Sequence, residues 1–194
     1  MKQITQLILA SQSPRRRDLL VQAGLTDFII RPAPGEEMEA GDMPPAEAVR
    51  EIARSKARQV AETAAPGELI LAADTMVWLA GELLGKPRNE AEAASMLRRL
   101  SGERHTVYTG VAMCFDGKEL AAAETTDVFF RELTDRDISA YVATGEPMDK
   151  AGAYGLQGRA GIFVRRIEGD VTNVIGLPLY RVALMAKEMG VNLF

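Results

Sequence analysis

The chain has 194 residues, 47% of them hydrophobic and 26% charged, and a formal net charge of −4. Those values suit one compact domain, or one domain with two lobes, around a sizeable core. The acidic balance excludes a surface attractive as a whole to nucleic acid or anionic membrane, so any phosphate site must be local.

The N-terminal stretch MKQITQLILASQSP is too short in its apolar part for a signal peptide. No apolar run approaches the ~18 residues of a membrane helix, so the expected location is the cytoplasm. Residues 4–10 read as a strand; Ser13 then caps a helix with Pro14 at its first position, and Gly24 stops it. Residues 27–31 read as a second strand, and the proline-rich stretch from Pro32 to Pro45 as a loop. A helix is predicted over 45–64, ended by Pro66-Gly67. The apolar run Leu69–Ala73 meets Asp74-Thr75, and a strand pattern resumes at Met76–Leu79 before a turn at Gly81.

Asn89 is the expected cap of a helix reaching Leu100. Strand patterns at 105–115 and 119–131 flank Asp116-Gly117, a hairpin signal. Cys114, the single cysteine, excludes an internal disulfide, fits a reducing compartment and reads as a buried strand thiol. Thr134 and Asp137 form a capping-box pattern for a helix ending near Thr144-Gly145. The glycine-rich GAYGLQGRAG follows, then strands expected on both sides of Glu168-Gly169-Asp170, and an amphipathic helix from Pro178 to Gly190. The order is α/β with antiparallel hairpins in the middle third.

Several positions carry candidate chemistry. Ser11-Gln12-Ser13-Pro14-Arg15-Arg16 joins a strand end to a helix start, where free N–H groups, the dipole and arginine forks make an anion site. The competing reading of Arg15 to Arg17 is a solvated basic face. Asp74 follows five apolar residues, as if a strand ended there; its carboxylate could hold a hard divalent cation, take a proton from water, or merely form a turn. Lys56 shares a helical stripe with Val49, Ile52, Ala53 and Val60. It is either a snorkelling edge residue or an ammonium held inward against an anion.

Gly85-Lys86-Pro87 places a cation in a rigid loop, and Glu36-Glu37 pairs carboxylates that are otherwise simply solvated. The glycines around Gln157 admit close approach of a ligand or serve a tight loop. His105, the single histidine, reads as structural, and the Cys/His count excludes a zinc site of that type.

Together LASQSPRRRDLL, the Glu36-Glu37 loop, EIARSKA, LAADTMV, GKP, LSGERHTVYTGV, TGEPMDKAGAYGLQGRAG and VIGLPL resemble the Maf family of nucleoside triphosphate pyrophosphatases, in family order over nearly the whole chain. The resemblance implies one Maf-like domain over residues 1–194. Its fold is an elongated two-lobed mixed-sheet α/β structure similar to the inosine triphosphate pyrophosphatases, with the active cleft between the lobes. It implies hydrolysis of a nucleoside triphosphate to monophosphate and pyrophosphate with a divalent cation, Mg or Mn.

Within the family, Arg15, Thr75 and Gln157 occupy the positions that separate the dTTP/UTP branch from the 7-methyl-GTP branch, and this chain resembles the former. Modified pyrimidine triphosphates fit the same branch. On physical grounds Ser13, Arg15, Arg16, Lys56 and Lys86 are then substrate-binding residues around the phosphates, Asp74 the base, and Glu37 with Asp74 the metal ligands. The expected partner is the nucleotide, with no nucleic acid or membrane, and a homodimer is compatible. The alternative implied by the family's name is a non-catalytic nucleotide-binding regulator of septum formation.

Overall fold

The computed structural model describes residues 3–35 and 38–193. It is a mixed α/β fold on a seven-stranded sheet. In chain order the elements are β1 (Gln6–Leu9), α1 (Pro14–Gln22), β2 (Phe28–Ile30), α2 (Pro45–Ala61), β3 (Glu68–Leu79), β4 (Glu82–Leu84), α3 (Glu90–Leu100), β5 (Arg104–Phe115), β6 (Lys118–Phe130), α4 (Asp135–Val142), β7 (Val164–Glu168), α5 (Val171–Ile175) and α6 (Leu179–Glu188), with short 3₁₀ turns between Glu146 and Phe163. The strands run β2-β1-β3-β5-β6-β7, with β4 also on β3. Parallel pairs join β1 to β2 and β3, and antiparallel pairs join β3 to β4 and β6 to β7. No described helix is long and apolar enough to cross a membrane.

The chain divides into two compact units, each assembled from separate segments. The first comprises Met1–Asp74, Thr109–Glu124 and Gly176–Phe194; the second comprises Thr75–Tyr108 and Thr125–Ile175. In the first, Ala53, Ala57 and Val60 of α2 pack with Ile8, Ile70, Ala72 and Ala112, so the helix meets the sheet largely through alanines. Small side chains let a helix lie close to a sheet. At Gly110 on β5 the approach is closest, because a Cβ built there would overlap the backbone carbonyl of Val49 on α2.

A backbone carbonyl cannot swing aside as a flexible side chain can. Gly110→Ala is therefore expected to cost about 3 kcal/mol, the upper end of overpacking effects, or more. That is a fall of about 6–12 °C in Tm for a chain of this length. A change below about 2 °C in a thermal melt would show that α2 can lift off β5 freely.

The second unit is built on aromatic residues. Phe130 packs edge-on against His105 at 5.0 Å and Tyr154 at 4.9 Å, and Tyr141 meets Phe163 at 5.2 Å. His105 is buried, and burial lowers its pKa to about 4, so the ring is neutral at physiological pH and holds Tyr154 through Nε2 at 2.8 Å from the phenol oxygen. It is structural, as expected.

Two sequence expectations need correction. Asp74 does not end a strand: β3 runs unbroken through it for 12 residues. The second strand expected after Gly169 is instead the helix α5, whose Thr172 N–H and hydroxyl both donate to Asp170 Oδ1 at 2.7 Å. Ser13 occupies the N-cap position of α1, but its hydroxyl makes no capping bond, whereas other turn and cap signals match their elements. Asp116 and Gly117 both have positive φ (48° and 75°) between β5 and β6, as a two-residue hairpin turn requires. Asn89 caps α3, and Thr134 and Asp137 close a full capping box on α4.

Candidate active site

In the first unit, the chain leaves β1 and turns into α1 through Ser11 to Ser13. Pro14 takes the first helical position, but the Ser13 hydroxyl makes no capping bond. Ser11 stabilises the turn instead: its hydroxyl oxygen accepts from the Ser13 N–H at 3.2 Å and from Arg16 Nη1 at 2.9 Å. Arg16 also donates through Nε to the Gly176 carbonyl at 2.8 Å, a partner 160 positions away. Arg15 is half-buried on the same turn. Arg17 behaves differently; it is exposed and paired with its neighbour Asp18 at 2.9 Å. The solvated-face reading thus describes Arg17, whereas Arg16 is drawn back onto the turn.

The close seating of α2 over the sheet explains Lys56. Lys56 is partly buried on α2, and its ammonium donates to Asp74 Oδ1 at 2.7 Å. With side chains only 18% and 15% exposed, this is no surface pair. Lys56 is an ammonium held inward against an anion, and one such anion is Asp74. A methionine there would leave the partly buried Asp74 carboxylate without this partner, so Lys56→Met is expected to destabilise the fold.

Asp74 and Thr75 occupy a particular stretch of β3. Residues 68–71 pair with β1, and residues 77–79 pair with β4. Between those two registers, one flank of the strand changes partner, and Asp74-Thr75 lies in that interval. An acid and a hydroxyl residue are tolerated mid-strand where that ladder is interrupted.

In the second unit three expected residues lie on segments joined by direct contacts. Val77, two positions after Thr75, packs its methyl groups against Gly152, whose φ of 69° favours glycine. The Gly152 N–H donates to the Gly85 carbonyl at 3.0 Å, next to exposed Lys86. Gln157 is exposed at the crest of the loop from Gly155 to Arg159.

The glycines on either side of Gln157 are occupied by protein, not left open. A Cβ on Gly158 would fall on the Glu146 carboxylate, and one on Gly155 would meet the Lys150 stem at 2.5 Å. Tyr141, Glu146 and Lys150 were not anticipated; the signal available was the run TGEPMDKAG immediately before the loop.

Glu37 lies outside the described residues, as does Glu36. Among the described residues no cluster of three or more His, Cys, Asp or Glu forms a metal cage. A cavity of about 630 Å³ in the first unit, lined by Arg58, Glu68, Cys114 and Glu119 among others, contains none of the expected site residues. Burial raises the Cys114 thiol to about 11, so it is a poor nucleophile and the expected structural thiol.

The first unit thus holds a cationic turn between β1 and α1 and a partly buried lysine–aspartate pair between α2 and β3, and a similar fold is seen in a solved HAM1 protein from Coxiella burnetii. That match has a TM-score of 0.50 and 16% identity, covering 94% of this chain and 98% of the other. The chain belongs to the Maf family: the family model "Maf-like protein" matches residues 6–189. It is 52% identical over 189 residues to a dTTP/UTP pyrophosphatase of Pelotomaculum thermopropionicum, covering 96% of this chain and 98% of that one. A dTTP/UTP pyrophosphatase of Thermococcus gammatolerans is 48% identical over 184 residues, covering 95% and 96%.

Proposed function

We propose that this protein is a nucleoside triphosphate pyrophosphatase that hydrolyses dTTP and UTP to the monophosphate and pyrophosphate. The observation that carries the reading is the Lys56–Asp74 pair in the same compact unit as the Ser11–Arg16 turn: a partly buried carboxylate held by a lysine, together with a cationic turn suited to phosphate oxygens. The near full-length identity to relatives of that name supports it.

In this reading Ser13, Arg15 and Arg16 hold phosphate oxygens at the start of α1, where the helix dipole adds to their charge. Lys56 fixes the Asp74 carboxylate through Oδ1, and Lys86 supplies a further cation. Water attacks the α-phosphorus, its proton passes to the Asp74 carboxylate, the bond between the α-phosphorus and the bridging oxygen breaks, and pyrophosphate leaves. Asp74 suits a magnesium-type ion, which takes one or two carboxylates and completes its shell with phosphates and water; Glu37 is the proposed second ligand. Such a cation would neutralise charge developing on the phosphates. Thr75 and Gln157 bear on the choice of base.

The test is pyrophosphate release from dTTP, UTP, CTP and GTP, with Mg or Mn and with chelator. Turnover of dTTP and UTP that disappears with chelator is expected. Binding of dTTP without any pyrophosphate formed would establish a nucleotide-binding regulator instead.

A further inference from the structure

We propose that the Glu146 carboxylate, with the Tyr141 hydroxyl, is the positioning device that presents Gln157 to the base of the substrate. The inference rests on the reading above in which Gln157 faces that base. The loop around Gln157 has no regular secondary structure of its own to hold it; it lies between short 3₁₀ turns. Yet it is pinned on both sides of the glutamine. Before it, the Gly155 N–H donates to the Tyr141 hydroxyl at 3.2 Å. After it, the Arg159 N–H donates to Glu146 Oε2 at 3.1 Å. The two anchors are one unit, because the Tyr141 hydroxyl donates to Glu146 Oε1 at 3.0 Å. A third contact, between the Tyr154 hydroxyl and His105 Nε2, fixes the entry to the loop in the aromatic core.

Steric evidence points the same way. Gly158 has φ −101° and ψ −154°, so glycine is not required there by backbone conformation. The space a Cβ would take there is filled by the Glu146 carboxylate, which a side chain at position 158 would have to displace. The carboxylate is thus seated directly beneath the residue that follows Gln157. Glu146 is in turn oriented by Lys150, whose ammonium donates to the Glu146 carbonyl at 2.6 Å. An exposed glutamine on an unsupported loop would sample many positions and read a base edge poorly. Held at positions 155 and 159, its carboxamide has a defined origin.

The arrangement predicts a signature that ordinary destabilisation would not produce. Removing the anchor should degrade the choice between bases and the KM more than the chemical step, since the phosphates are held elsewhere. The experiment measures kcat and KM for UTP and CTP on wild type, Glu146→Ala, Glu146→Gln, Tyr141→Phe and Gln157→Ala, with thermal melts of each. Glu146→Ala is expected to lower the UTP/CTP ratio of kcat/KM by about 10–100-fold, the size of effect that misplacement by about 1 Å produces. Most of the change should lie in KM for UTP. Glu146→Gln, which keeps the shape and one acceptor, should recover part of the ratio.

Tyr141→Phe removes a single hydroxyl within an intact aromatic contact, so it tests the same anchor should Glu146→Ala fail to fold. A ratio unchanged in every folded anchor variant while Gln157→Ala abolishes selectivity would overturn the positioning role alone. A ratio unchanged in Gln157→Ala would overturn the base-reading role of Gln157, and the positioning proposal with it.

Discussion

Asp74→Asn is expected to lower kcat for dTTP by about 10²–10⁴-fold, the usual contribution of a general base, with little change in fold. Asparagine has the shape of aspartate, and its amide oxygen can still accept the Lys56 bond that now measures 2.7 Å. What it cannot do is carry away the proton of an attacking water. The side chains are only 15–18% exposed, so the Lys56 ammonium loses its counter-charge in a partly buried setting, and a stability cost of up to about 3 kcal/mol is expected even with the amide oxygen as acceptor. Steady-state pyrophosphate release alongside a thermal melt separates the two effects. Retention of more than about a tenth of the wild-type kcat would assign the proton to another group, because a general base contributes at least about 10²-fold.

The second large effect concerns the base. A carboxamide offers one acceptor and two donors in a plane, and uracil or thymine presents N3–H flanked by two carbonyls. The two edges match. Cytosine replaces the O4 carbonyl by an amine and has no proton at N3, so an amide held in the orientation that suits uracil places donor against donor. A site built to hydrogen-bond one group can reject an analogue lacking it by up to about 10⁴-fold, since its own polar atoms lose their partners. UTP is therefore expected to be cleaved far better than CTP. Gln157→Glu should erode that preference by removing both amide donors and adding negative charge near a tetra-anion. Competition between the two nucleotides, read as the ratio of kcat/KM on both proteins, decides the matter; equal wild-type values would remove Gln157 from base recognition.

Local chemistry made most of the elements legible. Asn89, Thr134 with Asp137, and Asp116-Gly117 act within four residues of themselves, so their caps and turn could be read directly. The end expected for β3 at Asp74 was misread because a polar pair inside an apolar run signals a turn unless the strand changes partner, which is a property of distant segments. At Glu168-Gly169-Asp170 the same local signal suits a turn into a strand or into a helix. The helix is held by Asn173, whose Nδ2 donates to the Val107 carbonyl at 3.0 Å and to the Thr126 hydroxyl at 2.9 Å.

The candidate site divides in the same way. Lys56 declared itself because an ammonium on an apolar stripe is anomalous by itself. Glu146 did not, since an acid near glycines and a proline is ordinary until its carboxylate is seen filling the space at Gly158.

The tether of Arg16 to the Gly176 carbonyl and the Ser11 hydroxyl bears on affinity as well as on geometry. A long guanidinium side chain free in solution gives up its rotational freedom on grasping a phosphate, at about 0.5–1.5 kcal/mol. Here that ordering has already taken place during folding, so on the proposed reading a triphosphate meets an arginine that is already aimed. The entropy of the arm is charged to the stability of the protein, and the encounter with substrate is correspondingly less costly.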